Sequence, residues 1–143
     1  MHKMETGKTF LVRLAPGTDL YEAVSSAVVD SGVNAALLNG IGALRNATFG
    51  IVDPATGEYS VTRIDRELEI CSLMGNVSLK DGEPFVHSHL TVADRDGNAF
   101  GGHCMPGCEI FVCELAITEL IGDPPIREPR DDCGGLAAWP RQG

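Results

Sequence analysis

Three of the four histidines in the chain lie within one stretch, P-F-V-H-S-H-L-T-V-A-D-R-D-G-N-A-F-G-G-H-C, residues 84–104. His87 and His89 stand two apart in a run of strand-forming residues. Side chains alternate across a strand, so both imidazoles leave the same face, about 6.5–7 Å apart along it. His103 follows the turn signal Asp94-Arg95-Asp96-Gly97-Asn98, which predicts a strand returning antiparallel to the first. Register parity then decides the outcome. A two-residue Asp96-Gly97 loop would send His103 to the wrong face, whereas a three-residue loop closed by a left-handed Gly97, or a bulge at Gly101-Gly102, would set it opposite His89. One of these odd-parity solutions is expected. Three neutral imidazoles at one point suit Zn²⁺ and leave a tetrahedral position open; Fe²⁺, Ni²⁺, Co²⁺ and Mn²⁺ accept the same ligands.

Two other ligand types compete for that role. Cys104 and Cys108 lie close in sequence, but on a regular strand Cys104 points away from the face that His103 uses. Glu69 and Glu114 each sit among apolar neighbours in strand-like runs, L-E-I-C-S-L and F-V-C-E-L. A carboxylate buried there would need a metal, an arginine or a histidine N–H, so these two are the candidate general bases or histidine-orienting groups. Facing solvent at a sheet edge is the plainer alternative for both.

At 143 residues the chain is long enough for one domain with its own core. No segment approaches the ~20 apolar residues of a membrane span, and the N-terminus lacks a charged-then-apolar export signal, which predicts a cytoplasmic protein. A net charge of -9 works against the phosphate contacts that hold nucleic acid. Five cysteines without a C-x-x-C pair read as reduced and mostly buried.

The elements that must position the histidines follow from periodicity. Lys8 to Ala15 alternates as a half-buried strand with Phe10, Val12 and Leu14 on one face. Asp19 and Glu22 have capping-box spacing, Leu20, Ala23, Val24, Ala27 and Val28 repeat helically, and Gly32 supplies the stop, predicting a helix over 20–31. Val33 to Leu38 reads as a short strand. The following N-G-I-G-A-L lacks both phosphate-loop spacings and reads as a tight turn between strands. Strands are then expected over 46–52, 58–65, 67–79, through the two histidine strands, and over 109–120. Such short, regular intervals argue for an antiparallel sheet. From Gly122 the chain turns proline-rich and charged, without period. It is expected to be an extended arm over 122–143, docked by Leu136 and Trp139, with residues 1–7 a flexible lead-in to a domain spanning 8–121.

Taken together, P-G-T-D-L, N-G-I-G-A-L, L-E-I-C-S-L-M-G-N, H-S-H-L, D-G-N-A-F-G-G-H and C-E-I-F-V-C-E-L, in this order across about residues 8–120, resemble the PPC (plant and prokaryote conserved) domain family, some of whose members are labelled predicted DNA-binding proteins. The resemblance implies an α+β domain: a mainly antiparallel sheet of about seven strands, one principal helix, and a homotrimer. It also implies a bound metal, usually zinc, at the residues matching H-x-H and G-G-H, here His87, His89 and His103. The fold is similar to that of zinc-dependent acetolactate decarboxylases, which at fold level leaves the reaction open. Plant members bind DNA through a basic R-G-R-P-like arm. Here only Lys3 precedes Lys8, aside from His2, and Arg127, Arg130 and Arg141 are interleaved with acids.

Two functional classes follow. One is a metal centre performing lyase- or hydrolase-like chemistry on a small oxygen-rich ligand such as a keto or hydroxy acid. The other is a regulatory or scaffold trimer, with direct nucleic-acid contact disfavoured.

Overall fold

The computed structural model describes residues 2–141. One sheet system carries the molecule: β1 (Glu5–Leu14), β2 (Ala36–Leu44), β3 (Ala47–Val52), β4 (Tyr59–Ile64), β5 (Leu68–Lys80), β6 (Glu83–Ala93), β7 (Ala99–Cys104), β8 (Ile110–Ile121), β9 (Ile126–Pro129) and β10 (Ala137–Ala138). The main path runs β1-β8-β2-β5-β6-β7-β3-β4, and every pairing along it is antiparallel. One face is covered by the helix α1 (Leu20–Ser31), whose Leu20, Val24 and Val28 are buried. They meet Leu73, Val86, Leu90, Val92, Ile110, Leu115 and Ile117, the inward-pointing alternates of the central strands, in a single core cluster. No helix among the described residues is long and apolar enough to cross a membrane.

The helix begins and ends where the capping residues require. Asp19 Oδ1 accepts from the Glu22 N–H at 3.1 Å, and Gly32 is left-handed at φ 71° with its N–H returned to the Val29 carbonyl. Asp19 also ties the helix to the sheet, because its Oδ2 accepts from the Gly107 and Cys108 N–H groups at 2.6 and 3.0 Å.

Two expectations need correction. The segment Asn39–Leu44 is not a turn; it is the second half of β2, which is paired on both sides along its length. Its glycines serve close approach between backbones. A Cβ on Gly42, at φ 151°, would overlap the Val112 carbonyl oxygen, and one on Gly40 would lie 3.3 Å from the Glu114 carbonyl oxygen. The reversal into β3 follows directly, at Arg45-Asn46.

The described residues form ten strands, above the expected seven or so, in part because the aperiodic tail contributes β9 and β10. β2 covers β5 as far as Val77, and β9 then continues that flank in parallel at Leu79 and Lys80. β10 folds back on β9 through a short 3-10 turn at Asp131–Cys133. Position along the tail's sequence carries little of this, since its anchoring contacts are made by single residues.

Candidate metal centre

The β6–β7 hairpin places the three histidines. Asp94 N–H donates to the Asn98 carbonyl at 3.1 Å, and Gly97, left-handed at φ 79°, donates to the Asp94 carbonyl at 3.0 Å. This is the three-residue loop, and Ladder pairing runs unbroken from Ala93↔Ala99 to His89↔His103, without a bulge at Gly101-Gly102. Asp94 stiffens the loop, its Oδ1 accepting from the Asp96 and Asn98 N–H groups at 3.0 Å each. The glycine at 101 permits the hairpin to close, because a Cβ there would overlap the Leu90 carbonyl oxygen.

Val86, Ser88, Leu90 and Val92 point inward, so His87 and His89 project from the opposite face of the sheet. There the rings of His87, His89 and His103 lie 5.1–5.6 Å apart between centroids. One nitrogen from each comes within 4.8 Å of the others. Tyr59 from β4 tilts against His103, with ring centroids 5.2 Å apart. His103 Nδ1 is buried and has no hydrogen-bond partner, an unusual state for a ring nitrogen and one that a cation would resolve.

Electrostatics favour neutral, ligand-competent rings. Burial, then the Arg127 guanidinium, then His103 and His89 bring the His87 pKa down to about 4. Burial, His89 and Arg127 lower that of His103. Between about pH 4 and the ordinary 6.5, the unfolded chain therefore takes up a proton at His87 that the folded chain refuses. Stability is expected to rise with pH across that window and to erode as acid is added. Urea midpoints of metal-free protein at about pH 5 and about pH 7 should diverge more for the natural chain than for His87→Gln; parallel behaviour would contradict this.

Glu69 and Glu114 do not join the cluster. Glu69 is exposed and pairs with Ala43 and Ala93, five residues along β5 from Met74, which faces His89. That is about 16 Å away along the strand. Glu114 is exposed on β8, beside Arg13 and Ile41, three strands removed from β6. Both take the plainer, solvent-facing alternative. Cys104 and Cys108 are buried in the core, where Cys108 Sγ accepts from the Thr48 N–H at 3.2 Å.

Sequence reasoning passed over Arg127. It sits on β9 and is buried, with Nε donating to Ser78 Oγ at 2.7 Å and Nη2 to Asn76 Oδ1 at 2.7 Å. Nη1 donates to the Ala137 carbonyl at 3.1 Å, and Nη2 lies 3.4 Å from His87 Nδ1. Phe85 and Trp139 flank the guanidinium at 5.4 and 4.6 Å. The tail's charged composition hid it; the available signal was Trp139, read only as an anchor for the arm and found against the guanidinium.

This fold, with three histidines on a sheet hairpin, is that of the Plants and Prokaryotes Conserved (PCC) domain, and the chain belongs to that family: the family model matches residues 1–121. Among solved structures, the chain is similar to a metal-containing protein of Archaeoglobus fulgidus, at 38% identity over 99% of both chains and a TM-score of 0.91. It is equally similar to a plant- and prokaryote-conserved (PPC) protein of Pyrococcus horikoshii, at 38% identity, with 99% of this chain and 96% of that one covered and a TM-score of 0.92. A Bacteroides thetaiotaomicron protein described as a candidate DNA-binding protein shares the fold at 24% identity over 96% of each chain, with a TM-score of 0.84. Curated relatives include a Bifunctional protein GlmU of Synechococcus, 37% identical over 105 residues, or 73% of this chain. The chain spans 15% and 20% of the lengths of the two such proteins it matches.

Proposed function

We propose that the domain binds a divalent transition metal, zinc by preference, through His87, His89 and His103, and works as a homotrimer. The observation that carries the metal reading is the convergence of three ring nitrogens within 4.8 Å, one ring having a buried nitrogen without a partner. Histidine nitrogens sharing a tetrahedral zinc stand roughly 3.3 Å apart, a separation reached from here by small ring rotations. The metal-containing relative from Archaeoglobus supports the same reading. A metal held by three neutral ligands supplies Lewis acidity at an open position, which suits lyase- or hydrolase-like chemistry on a small oxygen-rich molecule. The histidines orient that position, while Tyr59 limits how the His103 ring turns. Protein purified without a histidine tag and assayed by inorganic mass spectrometry is expected to carry about one equivalent of metal per chain. A chain that takes up none from excess zinc would end the proposal.

The trimer rests on the outer sheet face, where ladder register aligns Leu11, Ala116, Asn39, Met74, His89 and His103 in one transverse row. Leu11 is 82% exposed, and Leu37, Ile41 and Met74 of the same face are more than half exposed. Four large apolar side chains this exposed on one sheet face fit an interaction surface better than open water. Leu37→Asp is expected to reduce the sedimentation mass from three chains to one; an unchanged mass would place any interface elsewhere.

A regulatory or scaffold role is the second reading, and a Bacteroides protein of the same fold is described as a candidate DNA-binding protein. The net charge of -9 argues that any contact with DNA is indirect. A gel shift at micromolar protein and physiological salt would contradict that.

A further inference from the structure

We infer that the three-histidine site takes a small oxyanion as its ligand, and that Arg127 supplies part of the charge that recognises it. The inference rests on the metal reading above and goes beyond it by naming the ligand class. Arg127 is only 6% exposed, yet none of its contacts among the described residues is a carboxylate. Its partners are a hydroxyl, an amide oxygen, a backbone carbonyl and an imidazole, with two aromatic faces alongside. These satisfy its geometry but not its charge, and a buried guanidinium ordinarily has an anion beside it.

Among the described residues no ion pair includes Arg127. On a chain with 20 acidic residues against 11 basic ones, this is a local patch of uncompensated positive charge. A divalent cation on the histidines would deepen the imbalance.

Donor geometry points the same way. An arginine can only donate, so His87 Nδ1 accepts in the 3.4 Å contact with Arg127. A cation bound through Nδ1 takes that lone pair, and one bound through Nε2 leaves the proton on Nδ1. Either way the contact is lost and an Arg127 N–H is released beside the open position. A carboxylate or phosphate oxygen fits there, where its other oxygen can meet the metal. Arg127 also lies beyond the residues matched by the family model, which end at 121.

The test uses the full chain loaded with zinc and titrated by calorimetry with lactate, its uncharged counterpart lactamide, and inorganic phosphate. At least one of the two anions is expected to bind on the order of tenfold or more tightly than lactamide. Which anion does so separates a carboxylate ligand from a phosphate one. Arg127→Gln should lose that preference while holding zinc as tightly as the natural chain or more so, since a like charge has been removed. A merely structural arginine would weaken both together. Equal binding of lactate, phosphate and lactamide to zinc-loaded protein, or an unchanged preference in Arg127→Gln, overturns the inference while leaving the metal site standing. Failure to take up zinc sinks both. If Arg127→Gln does not fold, Arg127→Lys, which keeps the charge but loses the paired donors, decides: an anion preference unchanged from the natural chain in that variant would overturn the role given to the guanidinium.

Discussion

Replacing His103 by alanine is expected to weaken zinc binding on the order of a hundredfold or more, with little change in the fold. Of the three rings it has the partnerless buried nitrogen, so it gains most from a cation and leaves least behind when removed. Its ring lies on the outer face of β7 and takes no part in the core cluster. The ladder bonds that pair residue 103 with His89 and Gly50 belong to the backbone and survive the change. Competition against a chromophoric chelator reads the affinity, and circular dichroism with urea unfolding checks the fold. Affinity equal to that of the natural chain would mean that His103 is no ligand.

Gly42→Ala should be the most damaging small substitution in the sheet, costing about 3 kcal/mol or more in urea unfolding. The added methyl lands on the Val112 carbonyl oxygen and within 2.8 Å of Cys113 Cα, both backbone atoms of β8 that cannot turn aside. Relief would require separating two central strands over which Leu73, Leu115 and Ile117 pack. Gly17→Ala is the control: Gly17 is left-handed at φ 78° with open space around it, so only the cost of that conformation, about 1–2 kcal/mol, should appear. Similar losses at the two positions would refute the argument from strand approach.

The difference between those glycines explains what the sequence could and could not disclose. Asp19, Glu22 and Gly32 act on their own neighbours, so the helix was legible to the residue. The hairpin was legible too, because the parity of a short loop leaves few registers and Gly97 selects among them. Gly42 looks like a turn residue until the strand across from it is known, since its reason is a backbone far away in the chain. Arg127 is hidden likewise: Asn76, Ser78 and His87 become its partners only once β9 has docked on β5. The carboxylates show the opposite case. Glu69 and Glu114 stood among apolar residues in sequence, but alternation put their side chains on the wet side.

The parallel seating of β9 against the last two residues of β5 divides labour along the polypeptide. The three histidines come from the body of the domain, whereas the guanidinium beside them arrives on a strap held by one short ladder and by its own bonds to Ser78 and Asn76. A protease cut just past residue 121 would remove the guanidinium without touching the histidines, so the proposed ion site and the proposed recognition of its ligand are separable. Changes confined to the strap could thus retune the chemistry of an otherwise constant scaffold.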